Sequence, residues 1–249
     1  MKEGFIKYDL MNLAIITARG GSKRIPRKNI KDFLGKPIIA YSIEAALGSG
    51  LFDEVMVSTD DKEIAAIAKQ YGAKVPFLRS EATSNDFATT AEVLKEVLEF
   101  YIEQSKPPVV GVLTDHPITL KFVCCLYPTA PFVTPNLLKS AFELLQEKQL
   151  DCVFPIQKFG FPIQRALVQN EGKLAYLQPE NALVRSQDLQ PTFHDTGQFY
   201  FFNVPQFMAS GKLLTDNTAG IEISEMEAQD IDNEADWQVA EFKYQLKNR

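Results

Sequence analysis

Short apolar runs alternate with amphipathic stretches through the first 150 residues. Residues 12–18, Asn-Leu-Ala-Ile-Ile-Thr-Ala, form a run that breaks at a glycine pair, predicting a strand that enters a loop. Residues 37–47 carry Pro37 at the first helical position and apolar residues at helical spacing, with Gly48 and Gly50 as the stop. Residues 54–59 predict a second strand ending at Asp60-Asp61, and 62–71 a helix with Gly72 just past its end. Further on, 74–78 read as a short strand and 88–104 as a long helix. A buried strand is predicted at 121–126, a helix at 135–149 and another strand at 152–156.

This alternation predicts an α/β fold with a mostly parallel, doubly wound sheet. Ligands bind such sheets beyond the carboxyl ends of the strands, so the loops 19–29, 59–61 and 127–131 should converge on one crevice. From 157 to 200 aromatics, prolines and polar residues mix without a helical period, which predicts short strands and loops in a smaller lobe. Order returns at Gln229-Asp230-Ile231-Asp232, followed by a helical tail. The stretch 105–120 is too apolar for a solvated linker and its prolines exclude a long helix, leaving an added strand as one reading.

Composition narrows the function. The chain has 249 residues, with 26 Lys and Arg against 32 Asp and Glu, a net charge of −6. An acidic protein of this kind is not a general nucleic-acid binder. No apolar run approaches the roughly 18–20 residues of a membrane span, and the opening residues mix both charges without a signal-like apolar stretch. The expectation is a cytoplasmic protein. Cys124, Cys125 and Cys152 have no metal-binding spacing and read as buried thiols. Two histidines, His116 and His194, leave little room for histidine-based catalysis.

Against the acidic background, residues 11–31 carry Arg19, Lys23, Arg24, Arg27, Lys28 and Lys31 and no acid. Gly20 and Gly21 allow close backbone approach and present N–H groups to an anion, and Ser22 and Asn29 add neutral donors. A polyphosphate is the natural partner; a solvated basic loop is the alternative. The spacing matches neither a Walker A loop nor GxGxxG. Asp230 and Asp232, at i and i+2 on an extended segment, point the same way and can hold Mg²⁺ through hard oxygen ligands. Acids favouring the dipole of the following helix are an equal reading for that pair, and the preferred one for Asn233, Glu234 and Asp236.

The run Ala18-Arg19-Gly20-Gly21-Ser22-Lys23 with Pro26 and Lys28-Asn29 resembles the cytidylyltransferases that activate nine-carbon 2-keto sugar acids. So do Leu34-Gly35-Lys36-Pro37, Val57-Ser58-Thr59-Asp60, Arg79 with Thr89-Thr90, Tyr127-Pro128-Thr129-Ala130-Pro131 and Gln229-Asp230-Ile231-Asp232. The resemblance covers nearly the whole chain. Arg24, Tyr127 (where the sialic acid type has glutamine), Arg185-Ser186-Gln187-Asp188 and His194-Asp195-Thr196-Gly197-Gln198-Phe199-Tyr200 resemble the branch acting on pseudaminic acid.

The resemblance implies a nucleotide-diphospho-sugar transferase fold, with 11–249 as one domain, 157–195 as a smaller dimerisation and sugar-site lobe, and 1–10 as an extension. It implies that CTP and the sugar acid give a CMP-sugar and pyrophosphate, with Mg²⁺ as cofactor, in a homodimer. Sialic, legionaminic or another 2-keto acid is the alternative substrate, and a silent nucleotide-binding relative the alternative class. It assigns Arg19, Gly20, Gly21, Ser22, Lys23, Lys28 and Asn29 to the triphosphate, with Lys28 at the leaving pyrophosphate, and Arg79 to the cytosine. Asp230 and Asp232 fall to the metal, Arg165 to the sugar carboxylate, and Gln198 and Tyr200 to the sugar. Pseudaminic acid carries a methyl where sialic acid ends in a hydroxyl, so its pocket should gain aromatic surface, for which Tyr127, Phe161 and Phe199 are the candidates.

Overall fold

The computed structural model describes residues 9–104 and 118–248. Most of the 105–120 stretch, His116 and residues 1–8 lie outside them. In chain order the elements are β1 (Asp9–Thr17), β2 (Asp32–Phe33), β3 (Lys36–Pro37), α1 (Ile38–Ser49), β4 (Glu54–Ser58), α2 (Lys62–Gln70), α3 (Glu81–Ser84) and α4 (Thr90–Gln104). They continue with β5 (Ile118–Leu126), α5 (Pro135–Glu147), β6 (Cys152–Lys158), β7 (Leu167–Asn170), β8 (Lys173–Tyr176), β9 (Phe193–Asp195), β10 (Phe199–Asn203), α6 (Val204–Ser210), β11 (Thr218–Glu222) and α7 (Glu234–Lys247).

The main sheet has seven strands in the order β11-β6-β10-β5-β1-β4, with β9 paired to β6. Strands β4, β1, β5, β6 and β11 run one way, and only β10 and β9 oppose them. The fold is α/β with a mostly parallel sheet covered on both faces. Ala14, Ile16, Cys124 and Leu126 face α1, α2 and α5, while Leu13, Ile15, Val123 and Cys125 face α4 and α6. Both faces being buried explains the unbroken apolar runs of β1 and β5. All three cysteines are buried thiols, and burial pushes Cys125 and Cys152 up to about 12.

A third cluster joins the two halves of the crevice. Ile25 and Phe33 from the basic loop region pack with Ile38, Tyr41, Phe132, Ile231 and Trp237. Phe33 meets Trp237, Tyr41 and Tyr244 edge-on at 5.4–5.7 Å. The region expected to form a smaller lobe holds the β7–β8 hairpin and short helical turns at Ile163–Arg165, Pro179–Asn181 and Ser186–Asp188.

Three local expectations are corrected. Pro37 caps α1 rather than opening it, because its ψ of 136° is extended, and Gly48 lies inside the helix; Gly50, at φ 65°, stops it. Residues 74–78 make only a single bridge, Lys74 to Met56. The first strand reaches back to Asp9, which pairs with Ile118, so the sheet begins inside the segment expected to be an extension.

Candidate active site

Strands β4, β1 and β5 are adjacent and parallel, with Thr17 opposite Ser58 and Ile16 opposite Leu126. Their three following loops therefore leave one edge together, as predicted. The 59–61 loop binds the basic loop from below. Asp60 Oδ1 accepts the Gly20 N–H at 2.8 Å, and Asp61 takes Arg27 through both carboxylate oxygens, at 2.5 and 3.0 Å. Asp61 also caps α2 by accepting from the N–H groups of Glu63 and Ile64, both at 2.9 Å. Arg27 and these bonds hold the Asp61 carboxyl down to about 2.

A cavity of about 450 Å³ opens above these loops, lined among others by Arg19, Ser22, Lys23, Arg24, Lys28, Asn29, Arg79, Thr90, Tyr127 and Asp232. Four of the six loop cations are there. The other two are spent elsewhere: Arg27 on Asp61 and Glu63, and Lys31 on Glu234 and the face of Trp237. Gly20 has a different purpose from the one expected. A Cβ there would sit 2.9 Å from Asp61 Oδ2, so the close approach it permits is to Asp61, and its N–H is already held by Asp60. Gly21 is open, with nothing within 4 Å of a Cβ. The Asn29 amide donates to Arg19 O at 2.8 Å, fixing the loop.

Each cation facing the cavity has an internal partner. Arg19 Nη1 meets Asp86 Oδ1 at 2.6 Å, and Lys23 meets Asp86 Oδ2. Arg24 meets Asp232 Oδ1 at 2.7 Å. Lys28 Nζ donates to Ile231 O at 2.6 Å, and burial draws its pKa below the ordinary lysine value although Asp232 and Asp230 oppose this. Arg79 is buried at the end of β4. Its guanidinium donates to Ser58 O at 2.6 Å and Ser58 Oγ at 3.0 Å while still lining the cavity.

Buried Ile231 separates Asp232, on the cavity wall, from Asp230, which is exposed just beyond it. Although the residue as a whole is exposed, partial loss of water around its carboxyl group and the neighbouring Asp232 push the Asp230 pKa upward. Two carboxylates that repel one another at the edge of this cationic cavity suit a divalent cation. Among the described residues no group of three or more His, Cys, Asp or Glu is placed to hold one, so phosphate oxygens would complete the shell. Asn233 and Asp236 form a reciprocal cap on α7.

A second cavity, of about 660 Å³, shares Thr90 and Tyr127 with the first. Its walls are largely aromatic and aliphatic: Tyr127, Phe154, Ile156, Phe193, Tyr200 and Leu213, with His194, Asp195 and Lys212 supplying charge or polarity. The Tyr127 and Tyr200 rings meet at 5.8 Å, the Tyr127 hydroxyl lies 3.3 Å from Thr90 Oγ1, and Tyr200 donates to Asp195.

Several sugar-side expectations change here. Strand alternation in β10 sends Phe199 into the core beneath α1 and α5 and leaves Tyr200 on the cavity. Phe161 is 88% exposed on the smaller lobe, and Phe154 and Phe193 supply aromatic surface instead. Gln198 lies behind the wall, its backbone O accepting from Tyr127 N at 2.9 Å and its side chain donating to Glu227 O at 2.7 Å. Arg165 lines neither cavity; it sits on the smaller lobe, 3.4 Å from Ser186 Oγ. Sequence reasoning missed Asp86 and Lys212 because neither lies in a charge cluster or motif; the fold brings Asp86 to Arg19 and Lys23 of the first cavity and Lys212 to the second.

A family model described as cytidylyltransferase matches residues 13–239. The chain belongs to the cytidylyltransferase family. It is 41% identical to the pseudaminic acid cytidylyltransferase of Campylobacter jejuni over 240 residues, 96% of this chain and 98% of that one. It is 33% identical to the CMP-N,N'-diacetyllegionaminic acid synthase of Legionella pneumophila, over 94% of this chain and 96% of that one. Among solved structures, CMP:2-keto-3-deoxy-manno-octonic acid synthetase complexed with CTP superposes with a TM-score of 0.64 at 18% identity, covering 95% of this chain and 99% of that one. That likeness establishes the cytidylyltransferase fold.

Proposed function

We propose that this cytidylyltransferase converts CTP and pseudaminic acid to CMP-pseudaminic acid and pyrophosphate. The observation that carries the reading is the meeting of a cationic cavity and an aromatic one at Tyr127 and Thr90. The triphosphate fits the first and the sugar the second, so the anomeric hydroxyl meets the α-phosphorus at the junction. The work of the chain is positioning and charge neutralisation, with no covalent intermediate. Arg19, Lys23 and Lys28 bind the triphosphate, and Lys28 stabilises the departing pyrophosphate. Asp230 and Asp232 would hold Mg²⁺, which would supply neutralisation of phosphate charge. Lys212, the one lysine or arginine among the residues lining the second cavity, is the candidate cation for the sugar carboxylate.

The active form is proposed to be a homodimer. Leu183, Leu174 and Leu177 on the smaller lobe are 98%, 66% and 57% exposed, and a second copy of this lobe would cover them. In that assembly Arg165 of one chain would reach toward the sugar cavity of the other. Among the described residues no helix is long and apolar enough to cross a membrane. The reaction is assigned to the cytoplasm, where CTP is available.

Pyrophosphate release from CTP and Mg²⁺ is to be measured in parallel with pseudaminic, N,N'-diacetyllegionaminic and N-acetylneuraminic acids. Release greatest with pseudaminic acid is expected. Release with another acid alone refutes the substrate, and no release with any refutes the reaction.

A further inference from the structure

The rim of the cationic cavity is the turn between α3 and α4. Asn85 Oδ1 accepts from Phe87 N at 2.8 Å and Ala88 N at 3.0 Å, closing a local turn that fixes the residue between them. That residue is Asp86. Its two carboxylate oxygens are divided between two cations of the basic loop: Arg19 at 2.6 Å and Lys23. Arg19 also donates to Asn85 O at 3.3 Å. The pairing holds the Asp86 carboxyl below the usual carboxylate range, so it stays ionised at neutral pH. Lys28 differs: its hydrogen-bond partner is the neutral carbonyl of Ile231.

We propose that Asp86 occupies the place of an outer phosphate group and competes with the β- and γ-phosphates of a nucleoside triphosphate for Arg19 and Lys23, so that the cavity holds CTP less tightly than its cations alone would. The inference rests on the cytidylyltransferase reading of this cavity. A ligand reaching Arg19 and Lys23 must exchange its own phosphate oxygens for those of Asp86. A triphosphate offers several charged groups and gains the contacts at Lys28 as well. A monophosphate held at the junction by Tyr127 and Thr90 does not reach these two cations and makes no such exchange. Asp86 therefore weakens triphosphate ligands and leaves a monophosphate nearly untouched. The same competition acts on the pyrophosphate after it has left.

The test is calorimetric titration of wild-type protein, Asp86→Asn and Asp86→Glu with CTP, CMP and inorganic tripolyphosphate in the presence of Mg²⁺, at several salt concentrations. Asp86→Asn should bind CTP and tripolyphosphate about threefold more tightly, in line with the modest strength of exposed ion pairs, and CMP with nearly unchanged affinity. Its binding should also depend more steeply on salt, because two cations are unpaired before the ligand arrives. Asp86→Glu should stay near wild type. Equal or weaker CTP binding by Asp86→Asn, or an unchanged CTP-to-CMP ratio, overturns the proposal and makes Asp86 an organiser of the two cations. Failure of wild-type protein to bind CTP at all refutes the underlying function instead.

Discussion

Lys28→Met is the most searching perturbation of the site. The lysine joins the basic loop to the carboxylate segment through one charge-assisted hydrogen bond, Nζ to Ile231 O at 2.6 Å. Losing a bond of that kind costs about 1.5–3 kcal/mol. In a chain of this size that lowers the midpoint of thermal unfolding by several degrees. The catalytic loss is separate. If Lys28 meets charge developing on the departing pyrophosphate, its removal should lower kcat about 10²–10³-fold, as for other donors aimed at a transition state. Single-turnover assays at saturating CTP isolate this step. A kcat within about threefold of wild type, with CTP binding intact, would refute the role. The pH profile gives an independent check. Burial lowers the Lys28 pKa, so the amine loses its charge as pH rises through a value below the ordinary one of about 10.4. Activity should fall on that alkaline limb, and Lys28→Arg, which stays charged, should move the limb upward.

Four further outcomes are expected. Gly20→Ala places a Cβ 2.9 Å from Asp61 Oδ2, and because Asp61 is pinned by Arg27 and the α2 cap, the clash should cost about 1–3 kcal/mol; an unchanged melting temperature would count against this packing. Tyr127→Gln removes the ring pair with Tyr200 at 5.8 Å and leaves a buried amide in want of a partner, so kcat/KM should fall more for pseudaminic than for N-acetylneuraminic acid, whereas equal losses would remove the case for substrate choice at this position. Lys212→Met should raise the KM for the sugar acid about tenfold or more while sparing that for CTP, and a change confined to CTP would reverse the assignment of the two cavities. Asp61 titrates at about 2 in the folded chain against about 3.9 unfolded, so its contribution to stability is full above about pH 4 and drains away as pH falls toward 2; Asp61→Asn, still able to cap α2, should flatten urea stability across that window.

The cationic half of the site was readable because its residues are consecutive. A basic run on an acidic chain, placed after a strand of a parallel sheet, points to a cationic cavity without knowledge of tertiary contacts. What the run could not reveal was how its charges are divided. Arg27 and Lys31 look like their neighbours in sequence, yet Asp61, Glu63 and Glu234 draw them away. The aromatic half was only partly readable. Its wall is assembled from β6, β9, β10 and the residues after α6, and in Phe199-Tyr200 the choice of which ring faces the cavity depends on strand phase. Aromatic richness in 157–202 showed that such a wall exists, while Phe161 and Phe199 show that richness does not say which rings form it.

Ile231 deserves a last consequence. It is buried against Ile25, Phe33 and Trp237, while the aspartates on either side of it turn outward. The spacing between the phosphate cations and the carboxylate pair is thereby set by an oily hinge pin that belongs equally to both ends of the chain. Shortening the protein from its carboxyl end would strip α7 from that pin and let the pair drift, although no side chain of α7 lines either cavity. An epitope tag appended beyond α7 leaves the pin untouched. For anyone re-engineering this scaffold toward other acids, the tail is therefore structural support to be left alone, and the freedom to redesign lies on the opposite side, in the aromatic wall.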